Sequence, residues 1–141
     1  MNCIFCYNVW HKDSTQASPD LSLDSIEAIL ENISGVPGVE GITITGGEPL
    51  LRNDIPEIVS LCRKKGLKAA IASNGTLLSK AVIKKLTASG IQHFDIGFTE
   101  PSHETRIAMT EAARSGCTVT ASICLHNKNY RRTGALTEMA A

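Results

Sequence analysis

The sequence contains no apolar segment long enough to cross a membrane and no excess of charge of either sign. Its 14 basic and 14 acidic residues cancel, so the chain has no field that would attract nucleic acid or an acidic membrane surface. No apolar run approaches the ~18 residues that a bilayer requires. Neither a basic stretch nor a long apolar segment follows Met1, as a secretion signal would need. We therefore expect a cytoplasmic protein that binds neither nucleic acid nor a membrane.

The five cysteines do not have the pattern of a disulfide framework, since their number is odd and their positions are irregular. Cys62, Cys117 and Cys124 each lie in an apolar segment, where a reduced thiol behaves as a small hydrophobic residue. We expect these three in the core. Only Cys3 and Cys6 lie close together and next to polar sequence. The pattern indicates a reducing environment with two cysteines available as ligands.

Helical and extended segments alternate along the chain, at intervals of about 25 residues, which is typical of βαβ units and a parallel sheet. The predicted strands cover residues 41–45, 67–72, 91–98 and 117–125. The predicted helices begin at Ser22, at Asn53 or Asp54, at Ser79 and at Pro101-Ser102, and they end near Gly35, Gly66, Gly90 and Gly116.

Residues 67–72 are almost continuously apolar, as strands covered on both faces are. Four strands amount to about half of a (β/α)₈ barrel, which needs ~250 residues. An open doubly wound sheet fits the alternation equally well. The sequence therefore predicts an α/β fold and leaves both architectures open.

The segment from Cys3 to Cys6 holds two thiols around an aromatic residue, Phe5. Zinc sites usually need a second such pair or added histidines, and the sequence has no second CxxC, although His11 is close enough to join a site. A redox pair of the thioredoxin type would follow a strand, which is not predicted here. An iron–sulfur cluster is held by thiolates at short spacings. Alone, the pair is weak evidence for a cluster.

A glycine turn with one carboxylate follows the predicted strand at 41–45, where α/β folds place their sites. Gly46 and Gly47 allow a ligand to approach the backbone closely. Glu48 offers an acceptor to a cationic group such as an ammonium, and Pro49 fixes the exit of the turn. The turn has neither the GxGxxG of dinucleotide sites nor the Lys-Ser/Thr of a P-loop. An ordinary tight turn with a solvated glutamate is the alternative.

Together, the two segments resemble the radical S-adenosylmethionine (SAM) superfamily, which has a CxxxCxΦC cluster motif, with Φ aromatic, and a GGEP turn after the second strand. Cys3 and Cys6 match the second and third cysteines, Phe5 matches the aromatic, and residues 46–49 match GGEP. The resemblance continues through residues 73–75 and covers nearly the whole chain. It is greatest to the molybdenum-cofactor and peptide-modifying enzymes, including those with a C-terminal SPASM extension.

The resemblance implies a [4Fe–4S] cluster and SAM as cofactors. Reductive cleavage of SAM would yield a 5′-deoxyadenosyl radical that abstracts hydrogen from an unknown substrate, a small molecule or a peptide, with an electron donor as a further partner. Gly46, Gly47 and Glu48 would receive the SAM ammonium, and Phe5 would pack near the adenine. The implied cofactor-binding residues are Phe5, Gly46, Gly47, Glu48, Pro49, Ser73 and Asn74, and the implied metal ligands are Cys3 and Cys6.

The sequence also departs from the pattern of the family. The first cysteine of the motif would lie before Met1, and Gly97-Phe98-Thr99 lacks the serine of many relatives, for which Thr99 or Glu100 could substitute. We expect residues 1–141 to be a single incomplete core: a partial parallel (β/α) barrel with about four βα units, without the first and last strands. The alternative is a truncated, non-catalytic module that binds SAM or a metal.

Overall fold

A computed structural model of the protein describes residues 20–99, 102–127, 129–132 and 134. Helices and strands alternate along these residues. The α-helices are α1 (Leu23–Ser34), α2 (Ile55–Lys64), α3 (Lys80–Ser89) and α4 (His103–Arg114). The strands are β1 (Gly41–Ile44), β2 (Lys68–Ser73), β3 (His93–Gly97) and β4 (Thr118–Ser122). Short 3₁₀-helices occupy Pro49–Leu51 and Tyr130–Arg132.

The strands form one four-stranded parallel sheet in the order β1-β2-β3-β4. A helix lies in each connection, and successive helices contact one another. Right-handed crossovers that always advance in the same direction place every connecting helix on one face of the sheet. An open doubly wound sheet would instead reverse its strand order and carry helices on both faces. The order therefore decides between the two expected architectures and confirms a partial parallel (β/α) barrel.

The core lies between the helices and one face of the sheet. Ile71, Phe94 and Ile96 on the strands are fully buried, and they belong to the same apolar cluster as Val59 and Cys62 of α2. Along β2 and β3, buried side chains alternate with more exposed ones, because successive residues of a strand point to opposite faces. Among the described residues, helices cover only one face. Residues 67–72 are almost continuously apolar because Ala70 and Ala72 lie on the face of β2 that points away from the core.

Serines begin three of the four helices, because each hydroxyl oxygen accepts a hydrogen bond from a backbone N–H three residues later. These residues are Ser22, Ser79 and Ser102, as the sequence predicts. Asp54 precedes α2 without such a bond, since its carboxylate is paired with Arg52. None of the described helices has the length and apolar character that a bilayer span requires.

The three cysteines assigned to the core have different environments. Cys62 is fully buried, as predicted, and burial raises the pKa of its thiol. Cys117 is half-buried, with its Sγ 3.7 Å from the carbonyl oxygen of Ile91. Cys124 is exposed, so its assignment to the core is wrong. The reason is that β4 ends at Ser122, before the end of the predicted strand, and Cys124 lies in the segment that leaves the sheet.

Candidate functional site

The glycine turn follows β1 at the carboxyl end of the sheet, where the sequence predicts it. Gly46 and Gly47 are exposed, Glu48 is half-buried and Pro49 is buried. Pro49 begins a 3₁₀-helix for which Glu48 is the N-cap, and Oε1 of Glu48 accepts a hydrogen bond from the backbone N–H of Leu50 at 3.2 Å. The fixed φ of proline suits this first position. The Glu48-Pro49 sequence therefore fixes the orientation of the Glu48 side chain relative to the turn.

The Glu48 carboxylate reaches the end of the neighbouring strand, β2. The hydroxyl of Ser73 donates to Oε1 of Glu48 at 2.9 Å. The backbone N–H of Asn74 donates to Oε2 at 3.0 Å, and the side-chain amide of Asn74 donates to the same oxygen. The resemblance to the family assigns Glu48, Ser73 and Asn74 to one site, although Glu48 and Ser73 are 25 residues apart. The structure brings the three residues into direct contact.

The turn after β2 is held in place from several sides. The backbone N–H of Gly75 donates to the hydroxyl oxygen of Ser73 at 3.0 Å, and the hydroxyl of Thr105 donates to the carbonyl of Asn74 at 3.3 Å. Gly75 has φ +80°, and a Cβ there would lie 3.1 Å from Ile96 Cγ2 and 3.3 Å from Thr105 Cγ2. Both the backbone conformation and the packing therefore require glycine at this position.

The described residues do not crowd the Cβ position of Gly46 in the glycine turn. A Cβ at Gly46 would meet no other atom within 4 Å among the described residues. The described residues therefore do not fill the position of a Gly46 side chain, and a glycine there allows a close approach to the backbone. In this respect the turn fits SAM.

The cluster ligands cannot be placed in the same way. Cys3, Phe5 and Cys6 lie outside the described residues, so the cluster site and the aromatic contact remain predictions. In the described part of the chain, no three His, Cys, Asp or Glu side chains are grouped so that they could hold a metal ion. The prediction of an iron–sulfur cluster therefore depends on Cys3 and Cys6.

Thr99 lies two residues after Gly97, the last residue of β3, and the sequence offers its hydroxyl as a substitute for the serine of relatives. The side chain is buried, and its Oγ1 accepts a hydrogen bond from the backbone N–H of Cys124 at 2.7 Å. The other proposed substitute, Glu100, is outside the described residues. In the described chain, Thr99 links the end of β3 to the segment that follows β4.

Arg52 follows the glycine turn, where an arginine could reach an anionic substrate. Its guanidinium instead donates two hydrogen bonds to the Asp54 carboxylate, at 2.8 and 2.7 Å, and one to the carbonyl of Leu21 at 2.9 Å. The bond from Arg52 holds the pKa of the Asp54 carboxyl below its ordinary value. Arg52 therefore links the turn to the segment before α1.

The sequence does not predict a row of polar side chains on the face of the sheet away from the helices. Nε2 of His93 and Oγ1 of Thr120 lie 2.8 Å apart, and the hydroxyl of Ser122 donates to Asp95 Oδ1. His93 and Asp95 alternate along β3 with buried apolar residues. That alternation is the signal that could have identified this face, because residues two apart in a strand point to the same side.

Most of the sequence matches a known protein family. The sequence model of the radical SAM superfamily matches residues 1–128. The chain therefore belongs to the radical SAM superfamily, whose members are enzymes.

Three curated relatives illustrate the range of similar proteins. Fe-coproporphyrin III synthase of Methanosarcina barkeri is 32% identical over 96 residues, which cover 68% of this chain and 23% of that protein. A probable GTP 3′,8-cyclase of Methanothermobacter thermautotrophicus is 34% identical over 125 residues, 84% of this chain and 39% of that protein. PqqA peptide cyclase of Gluconobacter oxydans is 27% identical, with 94% and 40% covered. The chain thus spans less than half the length of these relatives.

A solved structure supports the fold independently. The crystal structure of BtrN in complex with AdoMet and 2-DOIA superimposes with a TM-score of 0.61 at 20% sequence identity. The match covers 87% of this chain and 52% of BtrN. At this identity the likeness shows the fold, and it agrees with a partial (β/α) barrel.

Proposed function

We propose that this chain is the cofactor-binding core of a radical SAM enzyme. It binds a [4Fe–4S] cluster and SAM, cleaves SAM reductively and abstracts hydrogen from a small molecule or a peptide. Family membership over residues 1–128 supports both cofactors. The structural observation that carries the proposal is the junction of Glu48 with Ser73 and Asn74 at the carboxyl ends of β1 and β2. Ligands of parallel α/β folds bind at that edge of the sheet.

The residues of the chain would divide the work between the two cofactors. Cys3 and Cys6 would bind iron as thiolates, and Phe5 would pack against the adenine. The exposed backbone of Gly46 and Gly47 would lie next to the amino-acid part of SAM. When bound, the cluster and SAM together supply the one-electron cleavage of the sulfonium, for which an external electron donor is needed.

The test is anaerobic reconstitution of the full chain with iron and sulfide. We expect about four irons per chain and release of 5′-deoxyadenosine from SAM after addition of dithionite. Cys3→Ser and Cys6→Ser should each lose most of the iron and the product. Cys124→Ser is the matched control, because this cysteine is exposed and lies outside the proposed ligand set; it should keep both.

Two outcomes would contradict the proposal. Iron retained by Cys3→Ser and Cys6→Ser, or a loss of iron in Cys124→Ser as large as in these variants, would contradict the proposed ligand set. A chain that binds zinc, or that binds SAM without cleaving it, would favour the non-catalytic module.

A further inference from the structure

We propose that Glu48 is a positioning residue, whose carboxylate holds the end of β2 against the glycine turn, and that other acceptors bind the ammonium of SAM. The identity of the ligand rests on the proposed function. The role of Glu48 rests on its contacts alone. It differs from the role that the sequence predicts, in which the carboxylate receives the ammonium directly.

The hydrogen bonds of the carboxylate carry the inference. An ionised carboxylate has two oxygens with about four lone-pair sites. Oε1 of Glu48 accepts from the backbone of Leu50 and from the hydroxyl of Ser73, and Oε2 accepts from the backbone and the side chain of Asn74. The donors of the chain itself therefore fill the acceptor sites on both oxygens.

A further donor could bind only by displacing one of these four. Two of them are backbone N–H groups, and their positions are set by the 3₁₀-helix at Pro49–Leu51 and by the end of β2. The third, the hydroxyl of Ser73, belongs to a residue that is 7% exposed. A buried donor that loses its acceptor costs more than an ordinary hydrogen bond gains. The fourth, the side-chain amide of Asn74, is held in place because Oδ1 of the same side chain accepts hydrogen bonds from the backbone N–H and the hydroxyl of Thr76. Displacement of any of the four by an ammonium is therefore unfavourable unless the turn rearranges.

The same bonds explain what the carboxylate does. We call Glu48, Ser73 and Asn74 the Glu48 clamp. Through the hydroxyl of Ser73 the clamp also holds the N–H of Gly75, and through the carbonyl of Asn74 it contacts Thr105 of α4. Glu48 therefore links the turn after β1 to the end of β2 and, through it, to α4. The clamp therefore fixes the distance between the turn after β1 and the end of β2 at this edge of the sheet.

The first test needs no ligand and measures the clamp itself. Unfolding by urea would be followed for the full chain, Glu48→Gln, Ser73→Ala and the double variant. In Glu48→Gln an amide NH2 group replaces one of the two carboxylate oxygens. This group is a hydrogen-bond donor, and it would face the donors that the lost oxygen had bonded. We expect both single variants to lower the midpoint and the double variant to lower it by clearly less than the sum, since the two residues share a bond.

Glu57→Gln is the matched control for the loss of charge, because Glu57 is an exposed glutamate in the first turn of α2. Its effect should be small and additive with that of Ser73→Ala. Additive effects of Glu48→Gln and Ser73→Ala would overturn the clamp. So would a midpoint unchanged by Glu48→Gln.

The second test separates positioning from direct binding. Affinities for SAM and for 5′-methylthioadenosine, which lacks the ammonium and the carboxylate, would be measured anaerobically on the reconstituted chain. We expect Glu48→Gln to weaken SAM by about tenfold or more and Ser73→Ala to weaken SAM in the same direction, since both variants loosen the glycine turn. Both variants should affect 5′-methylthioadenosine less, because it has no group that would lie next to that turn. Weaker binding of SAM in Glu48→Gln, with Ser73→Ala without effect, would show that Glu48 binds the ammonium directly and would overturn the proposal.

The two tests also separate the two proposals. If the unsubstituted chain binds neither ligand, the proposed function fails, and the unfolding experiment still decides the role of Glu48.

Discussion

Gly75 lies in the turn after β2, beside the Glu48 clamp, and its replacement by alanine should destabilise the chain for two separable reasons. Its φ of +80° is one that residues with a Cβ rarely adopt. Its Cβ would also approach Ile96 Cγ2 to 3.1 Å and Thr105 Cγ2 to 3.3 Å, so these neighbours would have to move by a few tenths of an ångström.

The two contributions can be estimated separately. A left-handed conformation costs an L-residue about 1–2 kcal/mol. Overpacking of a filled site typically costs about 1–3 kcal/mol, and the small shifts required here place Gly75→Ala near the lower end. We therefore expect Gly75→Ala to reduce the free energy of unfolding by about 2–4 kcal/mol, which corresponds to a fall in Tm of roughly 4–16 °C for a chain of this size.

Gly66→Ala supplies the matched control. Gly66 has φ +74°, close to that of Gly75, but a Cβ there would meet nothing within 4 Å. It should lose only the conformational contribution, about 1–2 kcal/mol. Urea unfolding and thermal melts of both variants would measure the difference. Equal losses would refute the packing argument and show that the neighbours of Gly75 accommodate the added methyl group without cost.

Two further predictions concern acid and association. Because the bond from Arg52 lowers the pKa of Asp54 in the folded chain, its contribution to stability is present above the unfolded carboxyl pKa of about 4 and is lost as the pH falls through the lower folded value. Melts from neutral to acidic pH should therefore show a flatter dependence for Asp54→Asn than for the unsubstituted chain, and parallel curves would contradict this. The outer strands β1 and β4 each pair on one side only within the described sheet, and unpaired edges promote association. Size-exclusion chromatography with light scattering should show the chain associating as its concentration rises, whereas a monomer throughout would contradict the expectation.

Much of the fold could be predicted because its signals are local. The cap of Ser79 and the left-handed conformation of Gly90 mark the two ends of α3, as expected. The ends of strands were harder to predict, because apolar residues continue past the last residue that pairs. The strand predicted at 117–125 ends at Ser122. The longer prediction placed Cys124 wrongly in the core. Periodicity does not encode strand order, so only the resemblance to the family predicted a barrel and not an open sheet, and the strand order confirms that prediction.

The site divides in a similar way. The resemblance to the family identified Glu48, Ser73 and Asn74 as members of one site. It did not reveal that they bond to one another, because the number of donors around a carboxylate depends on geometry across two strands. The polar residues His93 and Asp95 were missed for a different reason: no motif marks them, and only their alternation along β3 sets them apart.

The order of the strands has a consequence for how the chain acquires its structure. Each strand pairs with the one that precedes it in the chain, and each helix contacts the helix before it. Parallel pairing must close a loop across each helix, which slows folding relative to a hairpin, but no strand has to wait for a partner that comes later in the chain. Every newly synthesised unit thus finds its partner already made, so assembly can begin at the ribosome and advance one strand and one helix at a time.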